Sequence, residues 1–192
     1  RDWSSDVCSS DLFVLGESST AGWPFNANAN FSRHLKWRLE LLYPNSKIEV
    51  INLGISAVNT YTIRDLVPEV LEHNPDLIIF YNGHNEYYGV LGVASSQTIG
   101  RSRFLINTVL WLQEFRLVQL VQNTLTWGMG LFAEEKALRE KGENETLMGR
   151  MIGESLIPLN SEIFQNGIDQ FEGNMRDILE LCKNENVPVT LE

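Results

Sequence analysis

Histidine is scarce in this chain of 192 residues, with three copies, and cysteine is scarcer, with two. Cys8 and Cys182 stand far apart, so they offer neither a metal-ligand spacing nor a disulfide framework. No metal and no cofactor are expected. No apolar run approaches the roughly 20 residues of a membrane span, so no membrane span is expected either. No basic segment leads into an apolar core as it would in a signal peptide. Positive charge is also short: 15 Lys and Arg stand against 25 Asp and Glu, for a net charge of −10. A nucleic-acid surface needs the opposite balance, which excludes nucleic acid as a partner. The acidic surplus itself implies little beyond a solvated surface. What is present is an ordinary 43% of hydrophobic residues, enough for one domain with a sizeable core.

The first residues read differently from the rest. Asp2–Leu12, DWSSDVCSSDL, resembles one reading frame of a common short-read sequencing adapter along its whole length, with Arg1 as its upstream codon. On that reading residues 1–12 are a non-native segment and the protein's own sequence enters at Phe13. Cys8 then drops out of any redox argument.

Phe13–Leu15 reads as a short apolar strand ending at Gly16. Asn30 can cap a helix with Phe31, Leu35, Leu39 and Leu42 on one face, ended by Pro44-Asn45. Ile48–Leu53 is a second strand closing at Gly54. Thr60 can cap a helix with Ile63, Leu66, Val67, Val70 and Leu71 inward, and Pro68 should kink it or delay its start. Leu77–Tyr81 is apolar on both faces, as a central parallel strand is. This β–α–β–α–β order predicts an α/β fold, a flavodoxin-like doubly wound parallel sheet with right-handed crossovers.

From about Val90 to Pro158 the pattern changes. Leu105, Val109 and Leu112, then Leu117, Leu120 and Val121, fit helices, and Trp127-Gly128-Met129-Gly130 should break them. Ala133–Gly142 is charged and expected to be exposed. This segment is long for an α/β connection, so residues 90–158 are read as a helical insertion or cap over the sheet's carboxyl edge. Asn160 or Ser161 then caps a long helix with Phe164, Ile168, Phe171, Met175, Ile178 and Cys182 on its face. Val187–Leu191 is a fourth strand, lying at an open edge.

Three short motifs end the three successive strands. GESSTAG, Gly16–Gly22, puts Ser18 where strand carboxyl ends open onto the ligand crevice of such sheets. Its spacing is neither G-x-G-x-x-G nor G-x-x-x-x-G-K-[ST], so a phosphate loop does not fit. INLGIS, Ile51–Ser56, offers the Gly54 N–H with no side chain in the way. YNGHNEYYG, Tyr81–Gly89, offers the Asn85 side-chain amide. With the Ser18 N–H these make three donors, the set that holds a developing oxyanion.

Together the motifs resemble those of the SGNH (GDSL-type) hydrolases, over Phe13 to about Gly89. The first block, G-D-S-x-T-x-G, stands here as Gly16-Glu17-Ser18-Ser19-Thr20-Ala21-Gly22, with Glu for Asp. The third, G-x-N-D, stands as Gly83-His84-Asn85-Glu86, again with Glu for Asp. The GHNE wording is similar to a bacterial subgroup whose members often carry an N-terminal membrane anchor. The resemblance implies the SGNH fold, Ser18 as nucleophile, and Gly54 and Asn85 as oxyanion donors. It implies an ester hydrolase acting on small-molecule, carbohydrate or lipid esters. An O-acyltransferase, or a non-catalytic binding domain that kept the fold, are the alternatives.

Trp23, Phe25, Tyr87 and Tyr88 flank the motifs as candidate substrate contacts, and His84 lies beside them. The family's late D-x-x-H, which supplies the base, has no match here; His34 and His73 fall on expected helices. The expectation is therefore a partial domain over residues 13–192, with its catalytic Asp and His beyond residue 192 and the sheet incomplete at the C-terminus.

Overall fold

The computed structural model describes residues 9–25, 29–96, 98, 102–133 and 156–192. Strand β1 spans Ser9–Gly16, the short helix α1 Ser18–Ala21, α2 Phe31–Leu42, β2 Lys47–Gly54, α3 Thr60–Leu71 and β3 Leu77–Tyr81. Helices α4, Arg103–Gln113, and α5, Arg116–Ala133, follow, then α6, Glu162–Asn184, and β4, Val189–Leu191. The strands are parallel in the order β2-β1-β3-β4. The chain steps from β1 to one neighbour and then returns past it to the other. The sheet is thus doubly wound, as expected, with its switch point between β1 and β3, where ligand crevices of such sheets lie.

Strand alternation sorts the core. Phe13 and Leu15 of β1 and Ile78 and Phe80 of β3 share one face with Ile63, Val67 and Val70 of α3 and Met175, Ile178 and Cys182 of α6. Tyr81, one residue out of phase with Phe80, meets the Phe31 ring of α2 edge-on at 5.6 Å. Helices α2, α3 and α6 are fixed at their starts by side-chain caps: Asn30 takes the Arg33 N–H, Asn59 the Tyr61 N–H and Ser161 the Phe164 N–H.

Several boundaries differ from expectation. β1 begins at Ser9 rather than Phe13, and Ser9–Leu12 pair with Lys47–Val50. A parallel ladder is made by backbone groups and accepts polar side chains. The cap of α3 is Asn59, not Thr60, and Pro68 is carried inside the helix. Helix α5 continues through Gly128 and Gly130 to Ala133, where the glycines predicted a break. On α6, Ile168 is exposed while Gln170 and Asn174 are buried. β4 starts at Val189. Most of the charged segment Ala133–Gly142 lies outside the described residues. The described part of the long connection docks on α3 and α6: the Arg64 guanidinium donates to Asn107 at 2.9 Å, and Arg103 pairs with Asp177.

Candidate active site

The turn after β1 is built around a short helix. Glu17 precedes α1 with an extended backbone, and Gly22 closes it at φ 102°. The Gly22 and Trp23 N–H groups both donate to the Ser18 carbonyl, at 3.0 and 2.9 Å. Thr20 Oγ1 donates to the Tyr81 carbonyl at 2.9 Å, tying the turn to the end of β3. Ser18 is the first residue of this helix and is partly exposed.

The loop after β3 is fastened to the same turn. Glu17 is fully buried, and its Oε1 and Oε2 accept the N–H groups of Gly83 at 3.0 Å and Asn85 at 2.9 Å. Gly83 sits at φ 105°, a conformation that side chains disfavour. Burial pushes the Glu17 carboxyl above its usual range, against the pull of those N–H groups and of His84. His84 is half-exposed, with Nδ1 3.7 Å from Glu17 Oε2 and its ring edge-on to Tyr81. Asn85 is 6% exposed, and its buried Nδ2 finds no hydrogen-bond partner among the described residues. The next residue, Glu86, is 3% exposed and accepts from Thr60 N at 3.2 Å and Thr60 Oγ1 at 2.7 Å. Burial pushes its pKa up to about 7.

The Gly54 expectation needs correction. Its N–H donates to Asn52 Oδ1 at 2.8 Å and is already committed. What glycine provides here is room: a Cβ at Gly54 would lie 2.2 Å from Ala21 N. The following N–H, of Ile55, donates to the Gly16 carbonyl. The next two residues of this loop are Ser56 and Ala57, and Ala57 holds a left-handed φ of 65°. Asn52 was not singled out in the sequence. Its Nδ2 donates to the Thr20 carbonyl and to Ser32 Oγ, both at 2.7 Å, so it pins β2 to the Ser18 turn and to α2. An Asn within the apolar end of β2, Val50–Leu53, two residues before a glycine, was the available signal.

The aromatic candidates divide. Trp23 and Phe25 are 68% and 71% exposed and line a hollow of about 630 Å³ that runs along the sheet beside α2, with Phe31, Tyr81, Thr190 and Glu192. Tyr87 is engaged elsewhere: its hydroxyl donates to the Phe164 carbonyl at 3.1 Å, and its ring stacks on Phe164 and fills the space over Gly167. That ring packs the loop onto α6. Tyr88 is partly buried beside it. Among the described residues, no group of three or more His, Cys, Asp and Glu side chains is arranged to hold a metal ion.

No family model and no curated protein matches the chain. Matching solved structures include a two-domain esterase (CEX) active on acetylated mannans, at 18% identity and a TM-score of 0.39, over 46% of this chain and 24% of that one. A variant of Axe2, an acetyl xylan esterase from Geobacillus stearothermophilus, matches at 13% identity and 0.45, over 95% and 77%. AlinE4, an SGNH-hydrolase family esterase, matches at 17% identity and 0.41, over 97% and 77%. The chain spans about a quarter of the length of the first of these.

Proposed function

We propose that this chain belongs to the SGNH (GDSL-type) hydrolases and cleaves esters through an acyl-enzyme on Ser18. The observation that carries the reading is the Asn85 Nδ2, buried and without a partner among the described residues, on a loop fastened to the residue before Ser18. An unpaired buried donor is costly. A negatively charged oxygen forming above Ser18 would satisfy it only in the transition state, which is where binding accelerates a reaction.

The reaction then runs as follows. Ser18 Oγ attacks the ester carbonyl carbon while its proton passes to an imidazole base. The carbonyl oxygen takes the negative charge and is held by Asn85 Nδ2, by the Ser18 N–H and by an N–H of the Ser56–Ala57 turn. That turn takes the place first assigned to Gly54, whose own N–H is spent on Asn52. The tetrahedral intermediate collapses, the alcohol leaves with the proton from the imidazolium, and water repeats the sequence on the acyl-enzyme. The family pattern assigns the base to an Asp-x-x-His. The substrate class is a small-molecule, carbohydrate or lipid ester.

The test is turnover of p-nitrophenyl acetate by the protein expressed from its complete gene. Ser18→Ala is expected to abolish turnover while the fold is kept. Near wild-type kcat in that variant would overturn the assignment. Adding an alcohol acceptor and analysing the products separates acyl transfer from hydrolysis.

A further inference from the structure

Ester cleavage as written uses neither Glu17 nor Glu86, yet both carboxylates are buried, the first bonded to the Asn85 N–H and the second next to Asn85 in sequence. From one side Glu17 accepts the backbone N–H groups of Gly83 and Asn85. From the other, Glu86 accepts the backbone N–H and the hydroxyl of Thr60, in the first turn of α3. Thr60 Oγ1 in turn accepts from Asn174 Nδ2 of α6 at 3.0 Å. Asn174 Oδ1 accepts from Arg64 Nη1 at 3.1 Å and from Arg103 Nε at 3.2 Å. Both guanidiniums also pair with Asp177. Arg103 is the first residue of α4, and it lies on the α6 backbone at Gly173, where a Cβ would fall 2.6 Å from its Nε. An unbroken series of hydrogen bonds thus joins α4, α6 and α3 to the residue after Asn85.

We propose that Glu17 and Glu86 are positioning residues that brace Asn85 from both sides, the second brace tying the site loop to the head of α4. The inference rests on the reading of Asn85 as an oxyanion donor. Its physical basis is that the Asn85 Nδ2 group has no hydrogen-bond partner among the described residues to orient it. Its position follows the backbone that carries it, and that backbone is held by Glu17 directly and by the Glu86 side chain one residue on. A buried carboxylate accepting N–H bonds is a strong anchor. An oxyanion donor gains its effect only when it is aimed before the reaction begins. The two Glu-for-Asp departures from the family pattern are then parts of the site rather than signs of lost catalysis.

The experiment is a double-substitution cycle combined with amide hydrogen exchange, on the protein from the complete gene. Glu17→Gln puts an NH2 group against one of the two loop N–H groups, and Glu86→Gln puts one against the Thr60 N–H or the Thr60 hydroxyl, which loses its acceptor. Each is expected to lower kcat on p-nitrophenyl acetate by about tenfold or more with KM changed less than about twofold, since only transition-state binding is lost. In an Asn85→Ala background each should add little, because residues acting through one group are not additive. Losses that multiply in that background would overturn the proposal, as would losses carried by KM.

The exchange arm does not depend on catalysis. In Glu17→Gln the Gly83 and Asn85 amides should lose protection by about tenfold, while those of the α3 core stay unchanged. Unchanged protection at Asn85 would overturn the brace even if the enzyme is active. A wild-type protein without esterase activity would remove the proposed function, and the exchange result would still decide whether Glu17 holds the loop. Should Glu17→Gln not fold, Glu17→Asp, which keeps the charge and shortens the reach, is expected to retain protection partly, and full protection would count against the brace.

Discussion

At the scale of single residues, the site is a contest over backbone N–H groups. Asn52 wins the Gly54 N–H, Gly16 takes that of Ile55, and Glu17 takes those of Gly83 and Asn85. The Asn85 side-chain Nδ2 is a buried donor with no partner among the described residues. Asn85→Ala should therefore lower kcat by ~10²–10³ with a smaller change in KM, the usual cost of losing one oxyanion donor. Steady-state kinetics on an aryl ester checks it; an effect confined to KM would make Asn85 a substrate-binding residue instead. Ser18 and Asn85 could be proposed from sequence because each sits in a short motif at the end of a strand. The Gly54 assignment failed on a local competition two residues long. The partners of Glu17 and Glu86 lie 26 to 68 positions away, and no spacing rule connects them.

At the scale of elements, the Ser18 turn is seated by contact between α1 and the end of β2. Gly54 leaves no space there: an added Cβ would meet Ala21 N at 2.2 Å and the Thr20 carbonyl carbon at 2.6 Å. Both are backbone atoms and cannot swing aside. Gly54→Ala should destabilise the protein by ~1–3 kcal/mol, the range for overpacking, and displace the Ser18 turn. Urea denaturation gives the first effect and aryl-ester turnover the second; wild-type values for both would show that the contact is not tight.

The expected strands β2 and β3 and helices α2, α3 and α6 are all present, because their apolar periodicity or caps mark them. Pattern overstated the glycine break in α5 and could not anticipate the tertiary partners of α6. Two glycines cost α5 only about 1 kcal/mol each relative to alanine, and the helix continues. On α6 the buried stripe includes Gln170 and Asn174 because polar partners await Asn174 on α3 and α4.

At the scale of the whole molecule, burying two carboxylates gives stability a defined pH dependence. The folded-state pKa of Glu86 is raised from 4.5 to about 7, so the fold favours its protonated form. Its contribution is full below pH 4.5 and is lost as pH rises through about 7, the reverse of an ion-paired carboxylate. A shift of that size corresponds to ~3 kcal/mol. Glu17 is raised by burial as well and works in the same direction. Glu86→Gln, which cannot ionise, should flatten the fall in stability between pH 5 and 8. Parallel denaturation series for the two proteins would show it, and identical pH slopes would contradict it.

The central claim is that Ser18 carries the acyl group. Its most direct measurement is mass analysis of the protein from the complete gene after reaction with a serine-reactive fluorophosphonate. The account predicts a single phosphonyl adduct on the peptide containing Ser18, at Ser18 itself, and no adduct in Ser18→Ala. An adduct at Ser19 or on any other residue, or labelling that survives Ser18→Ala, would contradict it.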